Sequence, residues 1–226
     1  ARTSAQRAAT APRTRAPHAS MRFRKLQSFN AAALAATTST LLRRPGLLLP
    51  HVSIKHVSRL DVDALRAAGV GGLVLDKDNT LTPPYLDAEP DADVAALLSR
   101  ARAAFGDDKV VVLSNSAGSG DDVDFEAAAA SEKALGLPVV RHPTAQKPKC
   151  PPELLEALDA PDLKHVAVVG DRVATDVLLA NLHGAVSVHV RPISPRGDQP
   201  FAAACRWLEN RVLLPVLRLC GARPPR

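Results

Sequence analysis

Five short aliphatic runs between residues 70 and 190 constrain this chain more than any other feature. They span 70–75, 109–113, 138–140, 165–169 and 185–190. The first ends Leu73, Val74, Leu75 and the fourth ends Ala167, Val168, Val169, so both faces of these strands must be buried. The segments between them have helical spacing. Asp61 caps a short helix ending near Gly69, with Val62, Leu65 and Ala68 on one face. Pro90 and Asp91 open a helix to Phe105 whose apolar face is Val94, Leu97, Leu98 and Ala101. Further helices are expected over 121–135, 151–158 and 173–183. Aliphatic strands alternating with helices predict βαβ units, an α/β fold with a parallel sheet covered on both faces. Ligands of such sheets bind beyond the carboxyl ends of the strands.

Chemistry is therefore sought just after each strand. The first is followed by Asp76-Lys77-Asp78-Asn79-Thr80 and the second by Ser114-Asn115-Ser116. Beyond the third lies Lys147, ahead of a proline-led helix. The fourth is followed by Gly170-Asp171-Arg172, with Asp176 one helical turn on. In extended backbone residues i and i+2 share a side, so Asp76 and Asp78 face one cleft and Lys77 points away. Clustered carboxylates repel, and a hard cation such as Mg²⁺ relieves that repulsion. A lysine cannot ligate that cation, but it can neutralise a second anion such as a phosphate. No glycine-rich nucleotide loop follows any strand.

These four strings, in order, resemble the motifs of the haloacid-dehalogenase superfamily of phosphotransferases, over about residues 60–190. Longer strings resemble its mitochondrial phosphatidylglycerophosphate phosphatase branch and bacterial relatives. They are Leu-Asp-Lys-Asp-Asn-Thr-Leu at 75–81, Ser-Asn-Ser-Ala-Gly at 114–118, Arg-His at 141–142, Lys-Pro-x-Cys at 147–150 and Val-Gly-Asp-Arg-x-x-Thr-Asp at 169–176. The resemblance implies a three-layer, Rossmann-like sheet. It implies Asp76 as the nucleophile that forms an aspartyl-phosphate, and Asp78 as the acid and then the base. Ser114, Asn115 and Lys147 would hold the phosphoryl group, Lys147 being chosen over Lys149 because it precedes Pro148. Asp76, Asp78 (through its carbonyl) and Asp171 would bind Mg²⁺, and Asp176 would orient that shell. The intervals of 38 residues from Asp76 to Ser114 and 33 from Ser114 to Lys147 are filled by single strands and helices. They leave no room for an inserted cap domain. An uncapped cleft suits a phosphomonoester on a large body.

Charge and composition bear on the substrate. Residues 1–60 carry a net +11, residues 61–190 a net −10 and residues 191–226 a net +5. An acidic centre argues against nucleic acid as a partner. Three scattered cysteines make no disulfide scaffold. Residues 1–50, rich in Arg, Ala, Ser and Thr and free of acids, are expected to be a disordered basic segment with organellar targeting composition, or simply a basic tail. Met21, the single methionine, is an alternative start. Residues 51–195 form the phosphatase domain. Residues 196–226 read as a basic amphipathic segment that packs on the domain or lies on an anionic membrane, with Pro215 kinking or stopping its helix. The expectation is a phosphatase acting on phosphatidylglycerophosphate, a phospholipid substrate at an anionic membrane surface. Its expected location is the matrix face of the mitochondrial inner membrane, or a plastid. Phosphatases for protein or nucleic-acid monoesters, and an inactive scaffold of the same fold, are the alternatives.

Overall fold

The computed structural model of the protein describes residues 31–86, 89–194 and 197–225. Helix α1 (Ala31–Arg43) and a 3₁₀ turn (Pro45–Leu48) lead into β1 (Val52–Ile54). Then come α2 (Val62–Ala67), β2 (Gly72–Leu75), α3 (Ala92–Phe105), β3 (Val110–Val112), α4 (Glu126–Leu135) and α5 (Pro152–Leu158). After these follow β4 (Val166–Gly170), a π-helical turn (Val173–Val177), α6 (Leu178–Leu182) and β5 (Val186–Val190). The chain closes with α7 (Pro200–Leu208), a second π turn (Glu209–Leu213) and α8 (Leu214–Leu219). Asp61 and Asp91 cap α2 and α3, accepting the amides of Ala64 and Val94.

The five strands form one all-parallel sheet in the order β1-β5-β4-β2-β3. Side chains alternate between its faces. Leu73, Leu75, Val110, Val112, Ala167 and Val169 enter a core with α2, α3 and α4. Val74, Val111, Val166 and Val168 enter the opposite core with α5 and α6. The result is the three-layer, Rossmann-like architecture that the aliphatic runs predict. From β2 the chain moves outward to β3 and then returns to the other flank of β2 as β4. The crevice between β2 and β4 is thus a topological switch point, where such sheets bind ligands.

Several expectations change. Residues 138–140 make only a single bridge, Val112 to Val139, outside β3. Instead β1 completes the sheet on the far edge. Its exposed-exposed-intermediate side chains gave no aliphatic run to read. The expected boundary at residue 50 falls inside a packed unit. Leu47, Leu48 and Leu49 are buried against Val173, Val177, Leu178, Leu214 and Leu217. The expected disorder and targeting role of residues 1–30 lie outside the described residues. Ala68 is exposed. Pro215 does not stop the last helix, because it sits in the first turn of α8 and the π turn before it absorbs the lost amide. Among the described residues, no helix is long and apolar enough to cross a membrane.

Candidate active site

The site is built on the carboxyl ends of β2, β3 and β4. The Asp76 amide still donates to Val169 O at 2.9 Å, so the sheet fixes this residue's backbone. The chain then turns sharply. Asn79 has φ 64°, and its amide donates to Thr82 O at 2.8 Å. Leu81, 1% exposed, plugs the loop into the core. At the end of β4, Gly170 leaves space for Asp176. A Cβ on Gly170 would lie 2.3 Å from Asp176 Cγ, which explains the glycine ahead of Asp171. Gly118, with φ 79°, likewise lets the loop after β3 pass Val140, whose carbonyl oxygen would be 2.2 Å from a Cβ.

Asp76, Asp171 and Asp176 each offer an oxygen within 4.8 Å of the others, and all three are buried. Lys147 Nζ donates to Asp76 Oδ1 and to Asp176 Oδ1, each at 2.6 Å. Lys149 is exposed, so of the two lysines it is Lys147 that reaches the carboxylates. Asp171 Oδ2 accepts from Arg206 Nε, whereas Asp171 Oδ1 is buried without a hydrogen-bond partner among the described residues. Burial raises the Asp76 pKa to about 6, with Asp176 adding to the rise and Lys147 opposing it. Burial also lifts Asp171 well above the carboxylate range against the pull of Arg206. For Lys147 burial acts against the charge, but Asp176 and Asp76 outweigh it and hold the ammonium firmly protonated. Oxygen donors, crowded carboxylates and an orphaned carboxylate oxygen fit a hard divalent cation such as Mg²⁺.

Asp78 lines the same pocket as Asp76, together with Ser114, Asn115 and Lys147. Its carboxylate turns away from the three-carboxylate cluster. It accepts from Ser116 Oγ, from the Tyr85 amide at 2.7 Å and from Lys77 Nζ at 3.3 Å. Burial favours its protonation, but Lys77, Ser116 and the Tyr85 amide prevail and keep its pKa below the ordinary value. The expectation that Lys77 points away is corrected. It is 1% exposed, and its ammonium returns to Asp78 and to Leu86 O. Asp176, expected to stand behind the metal shell, belongs to the cluster itself. Ser114 Oγ accepts from the Ser116 amide at 3.1 Å, and Asn115 Oδ1 from the Lys147 amide at 3.0 Å, so Asn115 positions the lysine loop. His142, expected at the rim, is fully buried. Its ring bridges Ser114 O and Ala145 O, bracing the two loops that carry Ser114 and Lys147.

Two contributors were not read from the sequence. Ser116 lies two residues from Ser114 in a bend whose Ser116 amide returns to Ser114 Oγ, so only its place in the hydroxyl string after β3 could have marked it. Arg206 had no local signal. It reads as part of a basic amphipathic face, yet it is 7% exposed and pairs with Asp171 and Asp198 from 35 and 8 residues away. With Ala202 it makes α7 a wall of the pocket.

An all-parallel sheet with a buried aspartate cluster, a lysine clamped on it and a hydroxyl loop at its switch point defines a phosphoryl-transfer enzyme of the haloacid-dehalogenase type. Comparison with known proteins narrows the class. The family model described as mitochondrial PGP phosphatase matches residues 31–193, and the chain belongs to that family. It is 39% identical over 200 residues to the chloroplastic phosphatidylglycerophosphate phosphatase 1 of Chlamydomonas reinhardtii, covering 88% of this chain and 73% of that one. It is 36% identical to the chloroplastic/mitochondrial phosphatidylglycerophosphate phosphatase 1 of Arabidopsis thaliana, covering 88% of this chain and 56% of that one. It is 35% identical to the mitochondrial phosphatidylglycerophosphatase of Saccharomyces cerevisiae, covering 68% of this chain and 83% of that one. These relatives are thus mitochondrial or chloroplastic by name. No solved structure matches the chain significantly.

Proposed function

We propose that the protein is a Mg²⁺-dependent phosphatase that removes the terminal phosphate of phosphatidylglycerophosphate to give phosphatidylglycerol, on the route to cardiolipin. The observation that carries this reading is the pair of 2.6 Å bonds from Lys147 to Asp76 and Asp176 inside a buried carboxylate cluster. An Asp76 oxygen attacks phosphorus, and the bond from phosphorus to the glycerol oxygen breaks. Asp78 gives the leaving oxygen a proton. Water then attacks the aspartyl-phosphate, with Asp78 taking its proton, and phosphate leaves. The bonds that favour ionised Asp78 suit this second task. For the first, an incoming phosphate anion raises its affinity for a proton. Lys147 and the Ser114 hydroxyl bind the phosphoryl oxygens as charge shifts onto them. When bound, Mg²⁺ would be held by Asp76, Asp171 and Asp176 with the Asp78 carbonyl, and would offset the charge of carboxylates and phosphate.

Peripheral contact with an anionic membrane, at the matrix face of the mitochondrial inner membrane, belongs to the same reading. Its support is the 200–219 helix, which leaves Phe201, Leu208, Val212 and Val216 exposed on its side towards α1 and Trp207 exposed beside Arg211 and Arg218 on another. Leu217 and Arg206 serve packing and the site instead. The test is phosphate release by the purified full chain from phosphatidylglycerophosphate in anionic vesicles. Activity is expected with Mg²⁺ and is lost with EDTA. Release that ignores EDTA overturns the metal role. Turnover of p-nitrophenyl phosphate without turnover of the lipid overturns the substrate.

A further inference from the structure

The mechanism above leaves one guanidinium at the site without a hydrogen-bond partner among the described residues. Lys147 is tied to Asp76 and Asp176, and Arg206 is tied to Asp171 and Asp198. Arg172, next to Asp171, uses its amide on Asp176 Oδ2 at 3.2 Å, but its side-chain Nε is buried with no hydrogen-bond partner among the described residues. Glu209, the acid packed nearby, feels the Arg172 charge, which opposes the rise that burial gives its pKa. Its carboxylate oxygens accept the Val173 and Ala174 amides at 2.8 and 3.2 Å and make no hydrogen bond to the guanidinium among the described residues. The side chain is only half-buried and lines the catalytic pocket, so its guanidinium can take an acceptor that arrives with the substrate.

The location of Arg172 indicates which acceptor. It lines the catalytic pocket with Asp76, Asp78 and Lys147. It also lines a groove of about 400 Å³ between α1 and the 200–219 helix. That groove is walled by Leu34, Leu41, Phe201, Leu208, Val212 and Val216. Its volume and apolar walls suit a hydrocarbon ligand. Moving outward from the pocket, a ligand therefore meets a phosphate site, a guanidinium and then an apolar channel. Phosphatidylglycerophosphate has the same sequence of groups. Its terminal phosphomonoester is joined through a three-carbon glycerol to an internal phosphodiester, and that to two acyl chains.

We propose that Arg172 is the specificity residue for the lipid: it binds the internal phosphodiester while the terminal phosphate occupies the catalytic pocket and one acyl chain lies in the groove. The proposal rests on the substrate assigned above. A guanidinium suits this task because its planar fork binds two phosphate oxygens at once.

The test compares kcat/KM for the Mg²⁺-supplied full chain on three substrates in one mixed-micelle composition. These are p-nitrophenyl phosphate, dihexanoyl-phosphatidylglycerophosphate and its dioleoyl form. Arg172→Gln is expected to lower the ratio of dihexanoyl lipid to p-nitrophenyl phosphate at least about tenfold, with part regained in Arg172→Lys. Val212→Asp, at the groove, is expected to lower the ratio of dioleoyl to dihexanoyl lipid at least about fivefold. Equal loss on all substrates, or an unchanged ratio, overturns the assignment of Arg172. If Arg172→Gln does not fold, the ratio in Arg172→Lys decides. A dioleoyl preference that survives Val212→Asp means that something other than substrate, such as a second copy or another segment of this chain, fills the groove. A wild-type chain that turns over p-nitrophenyl phosphate but neither lipid refutes the substrate itself.

Discussion

At the carboxyl ends of β2 and β4, Asp76, Asp171, Asp176 and Lys147 are all at most 7% exposed. Along the outer side of the 200–219 helix, Trp207 is 62% and Leu208 53% exposed. Charge lies inside and apolar surface outside, the reverse of what stability alone favours. The buried charges hold together only by pairing, and Asp171 Oδ1 still lacks a partner among the described residues. The apolar side chains outside have no such compensation in the described structure. In the reading proposed above, the two regions take different parts of one ligand: the pocket would take a phosphate with its cation, and the apolar side of the helix would take hydrocarbon. Arg172, which lines both the pocket and the groove, is where the two meet.

The largest expected effect separates chemistry from folding in the charged region. Asp76→Asn keeps the side chain's shape and removes the attacking charge. Its kcat is expected to fall by at least about 10³-fold while its melting temperature holds or rises, since one of three crowded carboxylates is gone. Phosphate release and a thermal melt on one preparation measure both. Wild-type turnover in this variant would remove the basis for the nucleophile.

A smaller loss is expected from Lys147→Ala. Taking away a single preorganised donor for phosphoryl oxygens costs about 10²–10³-fold in kcat. If only KM rises, Lys147 binds substrate and transition state alike, and the pocket is less specialised than the comparison holds.

The outer helix can be tested one residue apart. Leu217 is 5% exposed against Leu47–Leu49, whereas Val216 is 47% exposed in the groove wall. Leu217→Ala is expected to destabilise the fold by about 2–5 kcal/mol. Val216→Ala should stay within about 0.5 kcal/mol. Urea unfolding of the two variants checks this. Equal losses would mean that the apolar face is covered in solution.

The smallest effect lies away from both regions. Glu132 forms a two-pronged pair with Arg141 and accepts the Val139 amide at 3.0 Å, tying α4 to residues 139–141. The Arg141 bond, opposed by burial, lowers the Glu132 pKa below 4.5. A depressed carboxyl stabilises the fold above its unfolded value and loses that contribution as pH falls through the folded one. Glu132 is 31% exposed, so the gain is at most about 1 kcal/mol. Melts of wild type and Glu132→Gln should differ slightly at pH 7 and draw together as the pH falls below 4.5 and on through the lower folded value. A gap that persists in acid would assign the difference to packing.

The sequence by itself determined the sheet's central strands, the caps at Asp61 and Asp91, and the set of residues at the strand ends. All of these are local. A strand buried on both faces must be aliphatic, a cap must offer a side-chain oxygen, and a motif after a strand inherits that strand's position. The tertiary structure alone decided what depends on which surfaces meet. Edge strand β1 has no aliphatic pattern and exists because β5 pairs with it. Leu47–Leu49 look like part of a basic leader until the 200–219 helix covers them. Arg206 looks solvated until Asp171 and Asp198 enclose it. Asp78 and Asp76 look equivalent by spacing. They part because Ser116, Lys77 and the Tyr85 amide capture one while Lys147 captures the other. The side-chain pairings at the site join residues up to 71 positions apart, and nothing in the local pattern of either partner encodes them.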